Sequence, residues 1–308
     1  MVNRKTCSSI YHLPFTIYHS FMSGVSIAEA TLEATRSLRR AGVPESRREA
    51  ASLLAHALGR DRTFLITHAE EEVPEEILYA FRSLVERRSA GEPLQYIKGS
   101  TEFFKLDFAV TPHVLIPRPE TELLVEAALD LLEGVGAPAV CDVGTGSGCI
   151  IISILHERAE ARGVGLDVSE AALAVARRNA ERHGVDERLS LILSDCFEAL
   201  DEPGARFDMI VSNPPYVAES ALEGLQREVR DFEPRVALTP GGDGLKIIRR
   251  LMEDSPRFLQ PGGHLLMEIG FDQHEAVHNL INPQTWELLD IHPDLQGIPR
   301  TVALRKRY

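Results

Sequence analysis

Residues 139–156 read Ala-Val-Cys-Asp-Val-Gly-Thr-Gly-Ser-Gly-Cys-Ile-Ile-Ile-Ser-Ile-Leu-His. A short apolar run of strand length ends at a glycine loop. A stretch of helix length follows at once and is apolar almost all round. Such a strand and helix bury their faces together only when the helix crosses back over a sheet, which makes the next strand parallel to the first. The remainder of the chain keeps this rhythm. Strands are expected at Gly163–Asp167, Leu189–Leu193, Phe207–Ser212 and Gly263–Ile269, with helices at Ser169–Gly184 and Gly244–Phe258. A long irregular loop is expected from Asn213. The last two strands, Thr285–His292 and Thr301–Arg305, are joined by a turn with Gly297 and Pro299, so they read as an antiparallel hairpin at the sheet edge. The fold class is α/β, a mostly parallel sheet with helices on both faces.

Residues 26–92 have a different period. Ala50, Leu53, Leu54, Ala57 and Leu58 share one helical stripe, as do Ile77, Phe81, Leu84 and Val85, with Pro44, Gly59 and Pro74 between helices. A small helical bundle is expected there. Residues 93–118 form a linker, in which Gln95-Tyr96-Ile97 and Phe103–Val110 read as the two strands of a β-hairpin separated by Gly99-Ser100. Pro112, Pro117 and Pro119 keep the following chain extended. The third unit is residues 119–308, opening with a helix from Glu120 to about Leu132. Residues 1–25 read as an unstructured tail or an early start, with Met22 the alternative start; a targeting segment is the competing reading.

The charge balance narrows the function classes. Lys and Arg number 33 against 46 Asp and Glu, a formal net charge of −13. That argues against a non-specific grip on nucleic acid. No apolar window is long enough for a membrane span. The four cysteines, Cys7, Cys141, Cys149 and Cys196, make no Cys-x-x-Cys pair, so a reducing compartment is expected and a zinc site is not.

Four constellations carry chemistry. In Asp142-Val143-Gly144-Thr145-Gly146-Ser147-Gly148, the glycines let the backbone approach a ligand at a helix start. The spacing lacks the third glycine of a dinucleotide fingerprint, because Cys149 stands there. It suits a nucleoside cofactor without phosphates, whose ammonium an acid such as Asp142 can hold. The alternative is a plain strand–helix turn. Asp167, ending the next strand, can accept both hydroxyls of a ribose, or can serve as a helix N-terminal acid. After the third strand, Asp195 can accept from an adenine amino group while Cys196 or Phe197 lines the ring. The fourth is Asn213-Pro214-Pro215-Tyr216 at the end of a strand. Prolines fix the backbone and remove competing N–H donors. The Asn213 side-chain oxygen and the Pro214 carbonyl can accept both N–H bonds of a planar amino or amide nitrogen, with Tyr216 stacked on the flat group. Holding both N–H bonds aims the nitrogen lone pair at an electrophilic methyl and stabilises developing positive charge.

These residues resemble the class I S-adenosylmethionine-dependent methyltransferases that modify planar nitrogens. His-Val-Leu-Ile-Pro-Arg-Pro-Glu-Thr-Glu at 113–122 resembles a segment of the HemK-type protein-glutamine methyltransferases. So do Phe232-Glu233-Pro234, Pro240-Gly241-Gly242-Asp243-Gly244-Leu245 and Asp294-Leu295-Gln296-Gly297-Ile298-Pro299-Arg300, and the likeness runs from about Ser26 to Tyr308. It implies a Rossmann-like, mostly parallel seven-stranded sheet with an antiparallel edge strand, a small N-terminal helical bundle domain and a β-hairpin linker. It further implies a cytoplasmic, monomeric enzyme that methylates the glutamine of the Gly-Gly-Gln motif in peptide-chain release factors, with no membrane and no direct nucleic-acid partner. By position, Asp142, Gly144 to Gly148, Asp167, Asp195, Cys196, Phe197 and Asn213 would hold S-adenosyl-L-methionine. Asn213, Pro214, Pro215 and Tyr216 would hold the glutamine, with Asn213, Pro214 and Tyr216 catalytic, and no metal is implied. Cys196 stands where some relatives have an aromatic residue, so less stacking on the adenine is expected.

Other readings keep parts of this chemistry: an adenine-N6 acceptor in DNA or RNA, a ribosomal-protein glutamine, or a non-catalytic binding protein. Arg118 is read as pairing with an acid that orders the linker, with a contact to the cofactor carboxylate as the alternative; Glu120 and Glu122 are read as first-turn helix acids, with a role at the active-site edge as the alternative; and His113 and His156 are read as packed or surface residues rather than catalysts. The basic cluster Arg36, Arg39, Arg40, Arg47 and Arg48 is read as a solvated helix face, with an acidic partner surface as the alternative.

Overall fold

Alternation of side chains across the strands decides the layering. A computed structural model describes residues 24–200 and 207–307; the expectations for residues 1–23 lie outside the described residues. Along the strand Ala139–Val143, Val140 points into one apolar cluster while Cys141 and Val143 point into another. Phe207–Ser212 repeats the pattern, with Met209 and Val211 on the first face and Ile210 on the second. Both faces are therefore apolar, and both are covered by helices.

In chain order, the helical region comprises α1 (Ile27–Arg40), α2 (Ser46–Leu58), α3 (Arg62–Thr67), α4 (Glu75–Ser89) and α5 (Leu94–Lys98). A hairpin follows, β1 (Ser100–Phe103) and β2 (Leu106–Ala109). Then come α6 (Glu122–Leu131), β3 (Ala139–Val143), α7 (Cys149–Glu157), β4 (Arg162–Asp167), α8 (Glu170–Arg182), β5 (Leu189–Leu193) and β6 (Phe207–Ser212). The chain continues through α9 (Arg227–Phe232), α10 (Arg235–Leu238), α11 (Lys246–Asp254), β7 (Leu259–Glu268), α12 (His274–Leu280), β8 (Trp286–Pro293) and β9 (Pro299–Lys306). Residues 213–218 are irregular as expected, whereas short helices occupy most of 219–238.

The seven-stranded sheet has the order β5-β4-β3-β6-β7-β9-β8. β3 pairs in parallel with both β4 and β6, while β9 runs antiparallel between β7 and β8. The hairpin is appended at the edge as expected, with its second strand placed inside its first. The strand order reverses at β3, so the crevice beyond its carboxyl end is where an open α/β sheet takes its ligand. No helix among the described residues is long and apolar enough to cross a membrane.

The helical region has its own core, around Leu38, Leu53, Leu54 and Phe81. α1 opens with a capping box, in which the Ser26 hydroxyl accepts from Glu29 N–H and the Glu29 carboxylate accepts from Ser26 N–H. Arg36, Arg39, Arg40, Arg47 and Arg48 are all exposed. One arginine is not: Arg88, buried at the end of α4, binds Glu49 of α2 and the Glu92 carbonyl, and reaches Glu228 of α9 at 2.9 Å. That contact ties the helical region to the segment that follows β6.

The linker corrects the sequence reading in one respect. Gln95-Tyr96-Ile97 is not a strand; it lies in α5, started by Pro93 and ended by Gly99 in the left-handed conformation. The hairpin sits further on, and its turn is Phe104-Lys105, with φ of 49° and 62°. Neither residue announces such a turn, since the tight hairpin geometry normally calls for Gly or Asn. The strain is offset from elsewhere. Glu122 accepts from Phe104 N–H at 2.9 Å, and Phe103 and Phe108 are buried edge-to-face in the main core. Glu122 therefore holds the hairpin turn.

Asn179 of α8 joins the hairpin to the glycine loop. Fully buried, it accepts from Ala109 N–H at 2.7 Å and donates to the Ala109 and Ser147 carbonyls at 3.0 and 2.8 Å. Removing these partners leaves buried backbone groups unpaired. Asn179→Ala is expected to lower stability by about 2–4 kcal/mol, read as an earlier denaturation midpoint in urea. An unchanged midpoint would show that the hairpin is held without it.

Candidate active site

The loop after β3 is pinned before any ligand arrives. Gly144 N–H and Thr145 N–H both donate to the Leu166 carbonyl at the end of β4, at 2.8 and 2.9 Å. Gly146 N–H donates to Asp167 Oδ2 at 2.8 Å, and Ser169 N–H to Asp167 Oδ1 at 2.9 Å. Gly144 and Gly146 have φ of 77° and 55°, and a Cβ on Gly144 would meet nothing within 4 Å. The bare backbone thus borders open space. That space is a cleft of about 380 Å³ at the carboxyl ends of β3, β4 and β6.

The cleft wall brings together most of the residues expected from sequence: Gly144, Thr145, Gly146, Ser147, Asp167, Asp195, Cys196, Asn213, Pro214 and Pro215. Asp142, Gly148, Phe197 and Tyr216 are not on it. Gly148 starts α7 in the left-handed conformation, where a Cβ would strike Ile152. Phe197 is buried in the core, stacked on Phe258 at 5.0 Å. Cys196, not Phe197, lines the cleft, and its thiol is pushed up to about 11 chiefly by burial. It is a neutral, apolar wall rather than a nucleophile. Asp195 is exposed and paired with Arg250 at 2.6 Å.

Asp142 lies beneath the loop, wholly buried on the α7 side of β3. Its Oδ2 accepts from the Thr145 hydroxyl at 2.7 Å, while Oδ1 has no hydrogen-bond partner. Burial above all, with the charge of Asp167 adding to it, pushes its carboxyl up to about 7. Burial also raises Asp167, against the hydrogen bonds from Ser169 and Gly146.

The Asn213-Pro214-Pro215-Tyr216 loop is fastened on several sides. Ser212 Oγ donates to the Val143 carbonyl at 2.7 Å, joining the ends of β6 and β3. Gln273 Nε2 donates to the Tyr216 carbonyl at 2.9 Å. Gly244 packs so closely beneath that carbonyl that any Cβ would collide with it. Below the loop, Glu268 at the end of β7 is buried and accepts from Thr121 Oγ1 at 2.6 Å and from Tyr216 Oη at 3.0 Å. Asn213 Nδ2 donates to Thr121 Oγ1 at 3.1 Å. The Tyr216 hydroxyl is thus committed to Glu268.

Sequence reasoning missed Thr121, Glu268 and Glu233. Glu233 is buried and accepts from Ile116 N–H and the Arg118 guanidinium. Arg118 thereby both orders the linker and lines the cleft. The far wall, Val236, Ala237, Thr239 and Pro240, comes from α10 and the residues after it. Thr121 and Glu233 lie within the Pro-Arg-Pro-Glu-Thr-Glu and Phe-Glu-Pro segments, which gave a sequence signal; Glu268 lies in neither.

Comparison with known proteins gives the following. Residues 29–99 match the family model described as PrmC N-terminal domain, and residues 136–285 the model described as Methyltransferase domain. The release factor glutamine methyltransferase of Nitratidesulfovibrio vulgaris is 43% identical over 292 residues, covering 92% of this chain and 98% of its own. Those of Koribacter versatilis and Burkholderia pseudomallei are 42% and 47% identical over 282 and 256 residues, covering 92% and 82% of this chain and 99% and 89% of their own.

The buried Asp142 carries a pH signature. Its folded pKa, about 7, lies above its ordinary value of 3.8, so between those pH values the native state holds a proton that the unfolded chain has lost. Its contribution is complete at low pH and is lost as pH rises toward 7. Asp142→Asn removes that loss. The melting temperature of the variant, relative to the parent, is expected to be higher at pH 8 than at pH 5. An equal difference at both pH values would show that Asp142 keeps an ordinary pKa.

Proposed function

This chain belongs to the release factor glutamine methyltransferase family, and we propose that it moves a methyl group from S-adenosyl-L-methionine to the side-chain amide nitrogen, N5, of the glutamine in the Gly-Gly-Gln motif of peptide-chain release factors. S-adenosyl-L-homocysteine is the by-product. The relatives favour this reading over an adenine-N6 or ribosomal-protein acceptor, since their names specify release factor glutamine. The observation that carries the mechanism is the position of Asn213 and Pro214 on the same cleft wall as the bare Gly144–Ser147 backbone and Asp167.

The residues present fit the cofactor. Gly144 offers uncrowded backbone, Asp142 keeps an oxygen without a partner, and Asp167 uses one lone pair on each oxygen within the protein and has one left on each. Asp167 would take the ribose hydroxyls, and the Cys196 wall the adenine. Asp142, beneath the loop and half-ionised near pH 7, would contribute part of a negative charge toward the ammonium rather than a lining contact. When bound, the cofactor supplies an electrophilic methyl group on a sulfonium. Asn213 Oδ1 and the Pro214 carbonyl would accept the two N–H bonds of the substrate amide and hold its nitrogen toward that methyl. No strong base is needed, because the nitrogen becomes acidic as the new bond forms.

Residues 26–92 are assigned to recognition of the release-factor body, residues 93–118 to the linker and residues 119–308 to catalysis. The bundle has a groove suited to a partner: Leu32 and Ile66 are exposed in it, rimmed by Arg39, Arg47, Arg48 and Arg62. The enzyme acts as a cytoplasmic monomer on this reading.

Label from methyl-labelled S-adenosyl-L-methionine is expected on a purified release factor and not on the same factor with its Gly-Gly-Gln glutamine replaced. Label on neither, with the cofactor bound, would overturn the substrate assignment. Asn213→Ala should slow transfer by roughly 100-fold or more while the cofactor dissociation constant stays within a few-fold. Asp167→Ala should weaken cofactor binding by about 10- to 100-fold; calorimetry showing no change would remove the ribose role.

A further inference from the structure

A side-chain amide has two ends of nearly the same shape and opposite hydrogen-bonding sense. For Asn213 to accept from a substrate amide, its oxygen must face the cleft and its nitrogen must face away. Nothing in Asn213 itself enforces this, and the reversed amide would set N–H against N–H.

We propose that Thr121 and Glu268 form a positioning relay that fixes which end of the Asn213 amide faces the substrate. Glu268 is buried and accepts two hydroxyl protons, from Thr121 at 2.6 Å and from Tyr216 at 3.0 Å. One hydroxyl donor on each oxygen, Thr121 on Oε2 and Tyr216 on Oε1, is the arrangement that holds the ionised form against burial, and a carboxylate has no proton to give. The single proton of the Thr121 hydroxyl therefore lies on the bond to Glu268, which leaves Thr121 Oγ1 only lone pairs to offer Asn213. At 3.1 Å from that oxygen, the Asn213 group that fits is the Nδ2 amino group, so Oδ1 is turned to the other side. The direction of donation runs Asn213 to Thr121 to Glu268, and each link follows from the next. Thr121 borders the cleft but is itself buried, so little water competes for its hydroxyl. Tyr216 supplies the second donor that keeps Glu268 in place. Neither Thr121 nor Glu268 needs to touch the substrate for this role.

The inference rests on the assignment of Asn213 to the substrate amide, so Asn213→Ala is the control. Thr121→Val keeps the shape and removes the hydroxyl, Thr121→Ser keeps the hydroxyl, and Glu268→Gln leaves one acceptor oxygen for two hydroxyls and sets an N–H donor against the other, so the direction of donation is no longer fixed. Single-turnover methyl transfer to a release factor would be measured for the full chain, with the KM for the factor and the dissociation constant for S-adenosyl-L-methionine. Thr121→Val and Glu268→Gln are expected to slow transfer roughly 10- to 50-fold with KM and cofactor affinity within about threefold. Thr121→Ser is expected within about threefold of the parent. The relay is overturned if Thr121→Val transfers at the parent rate, if Thr121→Ser is as slow as Thr121→Val, or if the loss appears only in KM or cofactor binding. Should Thr121→Val fail to fold, as judged by its melting curve, Thr121→Ser and Glu268→Gln decide by the same criteria. A parental rate in Asn213→Ala would instead sink the reading of the substrate site on which the relay stands.

Discussion

The Leu166 carbonyl accepts from two consecutive backbone N–H groups, those of Gly144 and Thr145. The pair of bonds fixes where the chain leaves β3 and so where α7 begins. Gly146 then meets Asp167 directly after Leu166, and Ser147 presents its carbonyl to Asn179. From Asn179 the constraint passes to the hairpin through Ala109. The cleft exists because parallel neighbours end together at the point where strand order reverses, and these bonds keep their ends in register.

Local chemistry was legible in the sequence wherever a motif combined a strand end with residues that restrict or free the backbone. Gly144 to Ser147 of the glycine loop, Asp167 and Asn213-Pro214-Pro215 belong to that class, and all line the cleft. The seven strands were legible from apolar runs, most plainly β3 and β6, which are buried on both faces. Contacts between distant segments were not. Thr121 and Glu268 are separated by 147 positions, and neither residue type advertises the other. The hairpin was legible as a hairpin but misplaced. Its turn uses Phe104 and Lys105, which tolerate positive φ only because Glu122 holds the turn and aromatic packing flanks it. Gly99, read as a separator of strands, instead ends a helix.

Burial accumulates negative groups near the cleft. Asp142, Asp167, Glu233 and Glu268 are all held above their usual carboxylate range by burial, although each accepts hydrogen bonds that oppose the shift. Each is enclosed for a different purpose. Asp142 braces Thr145, Asp167 fastens Gly146, Glu233 orders Arg118 and Glu268 holds the two hydroxyls under the Asn213 loop. A site that receives a positively charged cofactor gains from such a field, and desolvation sharpens the gain because little water screens it.

The arginine buried at the end of α4 has a consequence for how a large substrate is chosen. Arg88 grips α2 and reaches α9 at once, so the bundle and the segment leading to the cleft keep a set separation. A partner that fills the groove on the bundle and the cleft together meets two anchor points at a fixed span. Its second contact forms at the high effective concentration created by the first. A short glutamine peptide holds only one anchor and forgoes that avidity. On the proposed function, selection would then act on the spacing between two surfaces of an intact protein as much as on the residues beside the glutamine.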